Sequence, residues 1–357
     1  MRVPGTPASA DSVHHGADRP VAQRGGLRVL PVLSRAPETG FGLGAAIVRV
    51  THNFADTSVR PSTLDGVVVG TQKGQAKVML EDEVWTPGNR WRVYGMFAFD
   101  RSPTSFYGVL QGAKVPIDPL AYYTTDSYTF YATADHQVLP GLFIGAGVKS
   151  MANHAVAARP DSIVSSAAGI SGHGGRVTGL EQTITYDTRD NIYASRRGSY
   201  LLLQHFFATA LTGSEYRVER FKVDARTFIP LRTDHVLALQ VTHERLNGDI
   251  PFEQLPTLGG SLLMRGYVPG QYRDREVTSA QAELRVKLVG RFGMTTWGGG
   301  AVVCNPPHCG ATWSDVLPTT GVGLRYYLVP AERLSVRMDY GFGRQSHGLY
   351  FDFTEAF

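Results

Sequence analysis

The chain lacks any long apolar run. None of its 357 residues falls in an apolar stretch of about 18 or more, so no membrane-spanning helix is available. It also lacks a helical stripe of ordinary length, which excludes the alternating strand–helix layout of a soluble α/β enzyme. An apolar h-region is missing near the start, so no complete secretory signal is present. Charge of one sign is not in large excess: the net charge is +4 and the pI near 9.0. Without Lys/Arg clusters beside exposed aromatics, these values do not argue for nucleic acid.

What is present is alternation. Segments of about ten residues, apolar at every second position, are cut by Gly, Pro, Asn and Asp. With a mean hydropathy of -0.13 and 40 glycines, this is the weak, repeated signature of a transmembrane antiparallel β-barrel, an all-β fold. The pattern predicts sixteen strands, at 27–35, 41–52, 62–72, 74–86, 90–101, 122–136, 141–152, 176–187, 198–209, 215–229, 235–246, 275–289, 291–303, 319–329, 332–343 and 347–357. The barrel is thus expected over residues 27–357. Residues 1–26 are polar and turn-rich and are expected to be disordered. Ala8-Ser9-Ala10 has the small-x-small form of a cleavage site, so the leader reads either as the tail of a signal peptide or as a plain disordered segment. His14-His15 reads as a solvated pair.

The connections obey parity. The four longest, 102–121, 153–175, 247–274 and 304–318, all join an odd strand to the next even one. In such barrels these loops face outward, and the short turns face the periplasm, as do both termini. Short links at Pro87-Gly88-Asn89, Pro140-Gly141 and Val329-Pro330 fall on the other side. The faces agree. Ala280, Ala282, Leu284, Val286 and Leu288 alternate with Gln281, Glu283, Arg285 and Lys287. A charge facing lipid near the midplane would cost roughly 2–4 kcal/mol, so the charged face must line a wet lumen.

One stretch stands apart, Leu258-Gly-Gly-Ser-Leu-Leu-Met-Arg-Gly-Tyr267. Gly259 and Gly260, then Arg265-Gly266-Tyr267, put one fixed cation and one aromatic at a tight, Gly-permissive bend. A bland surface loop is one reading. A loop folded back into a polar cavity is the other, since its arginine would then fork onto a wall carboxylate. Near the end, Phe351, Phe353 and Phe357 share one face of an alternating strand, interrupted by Glu355. That pattern looks like the C-terminal insertion signal of outer-membrane barrels, or else an aromatic girdle, and either places this end at a membrane interface.

With these stretches in view, the chain resembles the BamA/TamA-type outer-membrane assembly barrels, also called bacterial surface antigens. The matching motifs are Pro37-Glu-Thr-Gly-Phe-Gly-Leu-Gly44, Phe106-Tyr-Gly, Thr185-Tyr-Asp-Thr-Arg-Asp190 with Arg197-Gly198, the Arg265-Gly-Tyr267 stretch, Ala280-Gln-Ala-Glu-Leu-Arg285 and Met338-Asp-Tyr-Gly-Phe-Gly343. The resemblance implies a sixteen-stranded barrel whose sixth outer loop folds into the lumen and locks there. Arg265 would be the locking cation and Glu283 its partner. The family's further acid on the following strand is missing from Met294 to Val303, and Asp339 is a candidate substitute. An architectural ion pair is an equal reading of Arg265 and Glu283. The short polar leader resembles a barrel-only branch without periplasmic POTRA domains.

Other chemistry is sparse. Cys304 and Cys309 sit in an outward loop and read as a disulfide, rather than as a metal site with His308. His205, His235 and His243 have no paired Ser and acid at readable spacing. No enzyme activity, cofactor or metal is expected. The expected function is a barrel that assists insertion or translocation of client proteins, surrounded by outer-membrane lipid and served by a separate periplasmic protein or lipoprotein. A passive channel, or the membrane anchor of a complex, is the alternative.

Overall fold

The structure, a computed structural model, describes residues 26–36, 39–51, 59–109, 114–157, 170–171, 174–307, 309, 312–330 and 333–357. The expected leader, with Ala8-Ser9-Ala10 and His14-His15, lies outside the described residues apart from Gly26.

Sixteen strands form one closed antiparallel barrel. They are β1 (Arg28–Ala36), β2 (Gly40–Thr51), β3 (Ser62–Thr71), β4 (Ala76–Trp85), β5 (Trp91–Phe106), β6 (Ala121–Leu139), β7 (Leu142–Ala157) and β8 (Gly175–Asp187). The second half contains β9 (Gly198–Ala208), β10 (Val218–Arg232), β11 (His235–Gly248), β12 (Glu276–Lys287), β13 (Phe292–Cys304), β14 (Leu317–Val329), β15 (Leu334–Gly343) and β16 (Ser346–Phe353). Each strand pairs with its chain neighbours, and β1 meets β16 to close the ring. Among the described residues, no helix is long and apolar enough to cross a membrane.

The alternation predicted from sequence sets the faces. Val322, Leu324, Met338, Tyr340 and Phe342 are exposed on the outside, while Arg325, Arg337 and Asp339 are buried on the inside. Burying apolar side chains inward would instead strand these charges in lipid.

Some boundaries differ from expectation. β5 runs five residues into the expected loop 102–121, pairing from Ser102↔Thr125 to Phe106↔Ala121. Ser102-Pro-Thr-Ser105 carries no apolar alternation, so the period of two is not legible there. The last strand is shorter than expected. It ends at Phe353, and Thr354 takes φ +61°, a conformation that breaks the ladder. Glu355, Ala356 and Phe357 turn inward and are buried. Phe357 therefore does not continue the outer face of Phe351 and Phe353. The reason is Glu355, whose charge finds Arg325 inside at 2.7 Å.

The seam is thin. Among the described residues, β1 and β16 share the single pair Arg35↔Phe351, whereas β1 and β2 pair from Arg28↔Val48 to Ala36↔Gly40. The inward turn at Thr354 removes the strand that would have extended it.

Candidate functional site

The segment 249–275 links β11 to β12 and touches inward-facing side chains around much of the ring. Its first part, Ile250, Phe252 and Leu255, packs with Phe106 of β5, Tyr123 of β6, Val177 of β8 and Phe206 of β9. The backbone of Ile250–Pro251 pairs in parallel with Ile170–Ser171. Arg220 of β10 donates to the Gln254 carbonyl. The second part, Leu258, Met264, Tyr267 and Tyr272, packs with Val277, Ala301, Val303 and Leu317.

Arg265 sits at the centre and is fully buried. Its guanidinium donates to Glu283 of β12 at 2.5 Å and to Asp339 of β15 at 2.6 Å. The same group lies over the Trp297 ring of β13, 3.6 Å from the centroid. Trp297 stands directly opposite Glu283 in the ladder. It thus occupies the strand on which no acid was found, and contributes a π-face in place of a carboxylate. The structure brings Arg265, Glu283 and Asp339 together.

The bend around Arg265 is fitted to the wall. Gly266 has φ +111°, and a Cβ there would lie 2.6 Å from the Phe342 carbonyl carbon and 2.8 Å from the Gly343 nitrogen. Its amide donates to the Tyr350 hydroxyl at 3.0 Å. Tyr267 donates its hydroxyl to the Pro318 carbonyl at 2.6 Å and accepts from the Arg344 amide at 2.8 Å. Gly259 and Gly260, both at φ +107°, bring the chain back so that the Gly260 amide meets the Tyr267 carbonyl at 3.1 Å.

Further charges surround this core, and sequence reading missed most of them. Arg285 donates to Glu283 at 2.8 Å. Arg325 donates to Asp339 at 2.5 Å and to Glu355 at 2.7 Å. Arg337 donates to Asp339 at 2.7 Å, to the Ser261 carbonyl at 2.8 Å and to Asp352 at 3.0 Å. Four arginines, at 265, 285, 325 and 337, thus face four acids, at 283, 339, 352 and 355. A buried cluster is tolerable only when charges balance and lone pairs are filled. The available signal was parity: Arg285, Arg325, Arg337 and Asp339 all lie on the polar face of their strands. Tertiary register alone decided that they converge.

An Omp85 superfamily domain matches residues 85–328, more than half of the chain. The chain belongs to the Omp85 superfamily. Among solved structures, it is similar to BamA from Haemophilus ducreyi lacking POTRA domains 1–3, with a TM-score of 0.65 at 13% identity. That match covers 93% of this chain and 70% of the other. CdiB from Acinetobacter baumannii matches with a TM-score of 0.56 at 10% identity, covering 92% of this chain and 64% of CdiB. Identities this low carry the fold alone. No curated protein matched. This Omp85 barrel is an outer-membrane protein, and its outward apolar face meets lipid.

Cys304 and Cys309 form a disulfide at the outer end of β13. Glu276 lies close to both sulfurs, but a disulfide offers no thiolate to a metal.

Proposed function

We propose that this barrel assists insertion or translocation of proteins at the outer membrane, together with a separately encoded periplasmic protein or lipoprotein. The observation that carries this reading is the seam, where β1 and β16 share one paired position among the described residues. Unpaired N–H and C=O groups on the two edges form a template on which a client strand adds by edge pairing. Family membership and likeness to BamA and CdiB barrels support the same reading.

In this reading the segment 249–275 is folded into the lumen as a plug. Arg265, Gly266 and Tyr267 lock it against Glu283 and Asp339, with Gly259 and Gly260 shaping the return. Both termini are periplasmic, and Phe351 and Phe353 serve with Phe357 as the insertion signal. The protein is not an enzyme in this reading.

The test is a pair of cysteines at Arg35 and Phe351, which face each other across the seam. Oxidation is expected to abolish client assembly in cells, and reduction to restore it. Undiminished assembly with a closed cross-link refutes the seam mechanism.

A further inference from the structure

The motif Thr185-Tyr-Asp-Thr-Arg-Asp190 has no part in the seam or in the Arg265 site. It opens the link 188–197 between β8 and β9, on the same side of the barrel as the short turns. Its two acids bind partners far around the ring. Asp187 accepts from Arg60, on the link before β3, at 2.8 Å, and also from Arg189 at 2.9 Å. Asp190 accepts from Arg333, in the turn before β15, at 2.7 Å. In a closed ring of sixteen strands, β3 lies five strands from β8, and β15 lies six strands from β9. Direct ion pairs over those separations cannot run along the wall. They must cross the mouth.

The link is shaped to stay in that position. Asp190 also accepts from the amides of Arg196 at 2.9 Å and Arg197 at 3.3 Å. Asn191 accepts from the amides of Tyr193 at 2.9 Å and Ala194 at 2.8 Å. Both turns are closed by side-chain carboxyl or amide oxygens, so the link is a pre-formed strap. Ala194 and Ser195, at its apex, are buried.

The end of the last strand lies against this link. The Glu355 amide donates to the Tyr193 carbonyl at 3.3 Å. Arg333, held by Asp190, also donates to the Ala194 carbonyl at 3.2 Å. Arg285 donates to the Phe357 carbonyl at 2.6 Å, and the Glu355 carboxylate takes Arg325 at 2.7 Å. The tail is therefore held between the strap and the arginines of the buried cluster.

We propose that residues 188–197 are a periplasmic gate that holds the tail 354–357 inside the barrel, so that strap opening and release of the end of β16 are one event. Anything entering from the periplasm must displace the strap. Displacing it removes the acceptor of the Glu355 amide and leaves the tail held by Arg285 and Arg325 without the strap, which loosens the tail and with it the edge strand at the seam. The link to client entry rests on the proposed seam mechanism, but the mechanical coupling of strap and tail does not.

Hydrogen exchange on the whole chain in nanodiscs tests the coupling directly. Asp190→Ala removes the strap's hold on Arg333. Exchange in peptides covering 188–197 and 350–357 is expected to rise together, by about fivefold, the factor that a partly exposed ion pair supplies. Peptides from β10 to β12 serve as the folded reference. The converse variant, Asp190→Cys with Arg333→Cys, is oxidised to pin the strap, and tail exchange is then expected to fall below wild type. The coupling is overturned if strap exchange rises in the first variant while the tail keeps its wild-type rate. It is equally overturned if the pinned strap leaves the tail unchanged. Linked exchange without any effect of the seam cross-link on client assembly would keep the gate and remove the assembly reading.

Discussion

Replacing Arg265 with alanine removes the one cation that the segment 249–275 places between Glu283 and Asp339. Two charge-assisted hydrogen bonds disappear, each worth about 1.5–3 kcal/mol. Stacking over Trp297 goes too, a contact worth about 2 kcal/mol when desolvated. Breaking a buried pair typically costs about 3–5 kcal/mol because it leaves an uncompensated charge. Here the carboxylates are not abandoned: Glu283 keeps Arg285, and Asp339 keeps Arg325 and Arg337. The loss should therefore fall near the lower end, about 3 kcal/mol. It should appear as local release, since strand ladders elsewhere are untouched. Amide exchange in 258–274 is then expected to speed up about 100-fold, with β5 to β8 unchanged. In the proposed plug reading, single-channel current in planar bilayers is expected to rise. The double variant Arg265→Ala with Glu283→Gln restores charge balance and should cost less than the sum of the two single changes. Less than about threefold acceleration in the single variant would refute the argument that this cluster holds the segment in place.

Gly266→Ala should release the same segment without removing any charge, because its Cβ would lie 2.6 Å from the Phe342 carbonyl carbon in a positive-φ conformation. Exchange in 258–274 reports it, and a wild-type rate would refute the close fit. Burial of Asp190 raises its carboxyl affinity for protons, but amide bonds from Arg196 and Arg197 and the Arg333 bond outweigh this and hold its pKa below 3.8. A depressed folded pKa contributes stability that is fully present above the unfolded value and lost as pH falls through the folded one. Strap exchange, corrected for intrinsic rates, should therefore be constant down to about pH 4 and rise below it, a rise that Asp190→Asn abolishes.

Much of the barrel was legible because a wall between lipid and water imposes a period of two on every strand. The alternation of Leu334 to Phe342 against Ser335 to Gly341 required no partner to be read. Loop parity followed from chain order alone. Where apolar alternation lapses, as at Ser102-Pro-Thr-Ser105, that signal vanished and the end of β5 was read as loop. At the last strand the aromatic alternation misled, since Glu355 found stronger partners inside the barrel than lipid offered its neighbours.

The sequence by itself determined the all-β fold, the strand count, which side chains face inward, and that Arg265 stands on a glycine-shaped bend. These are local properties, written in neighbouring residues. Only the tertiary structure decided which inward charges meet. Asp339 reaches Arg265 across 74 positions, and Asp190 reaches Arg333 across 143. Such contacts depend on ring closure and strand register, which every strand sets jointly and no single stretch encodes. The thin seam is of the same kind: one paired position between the first and last strands, among the described residues, is a property of the closed ring.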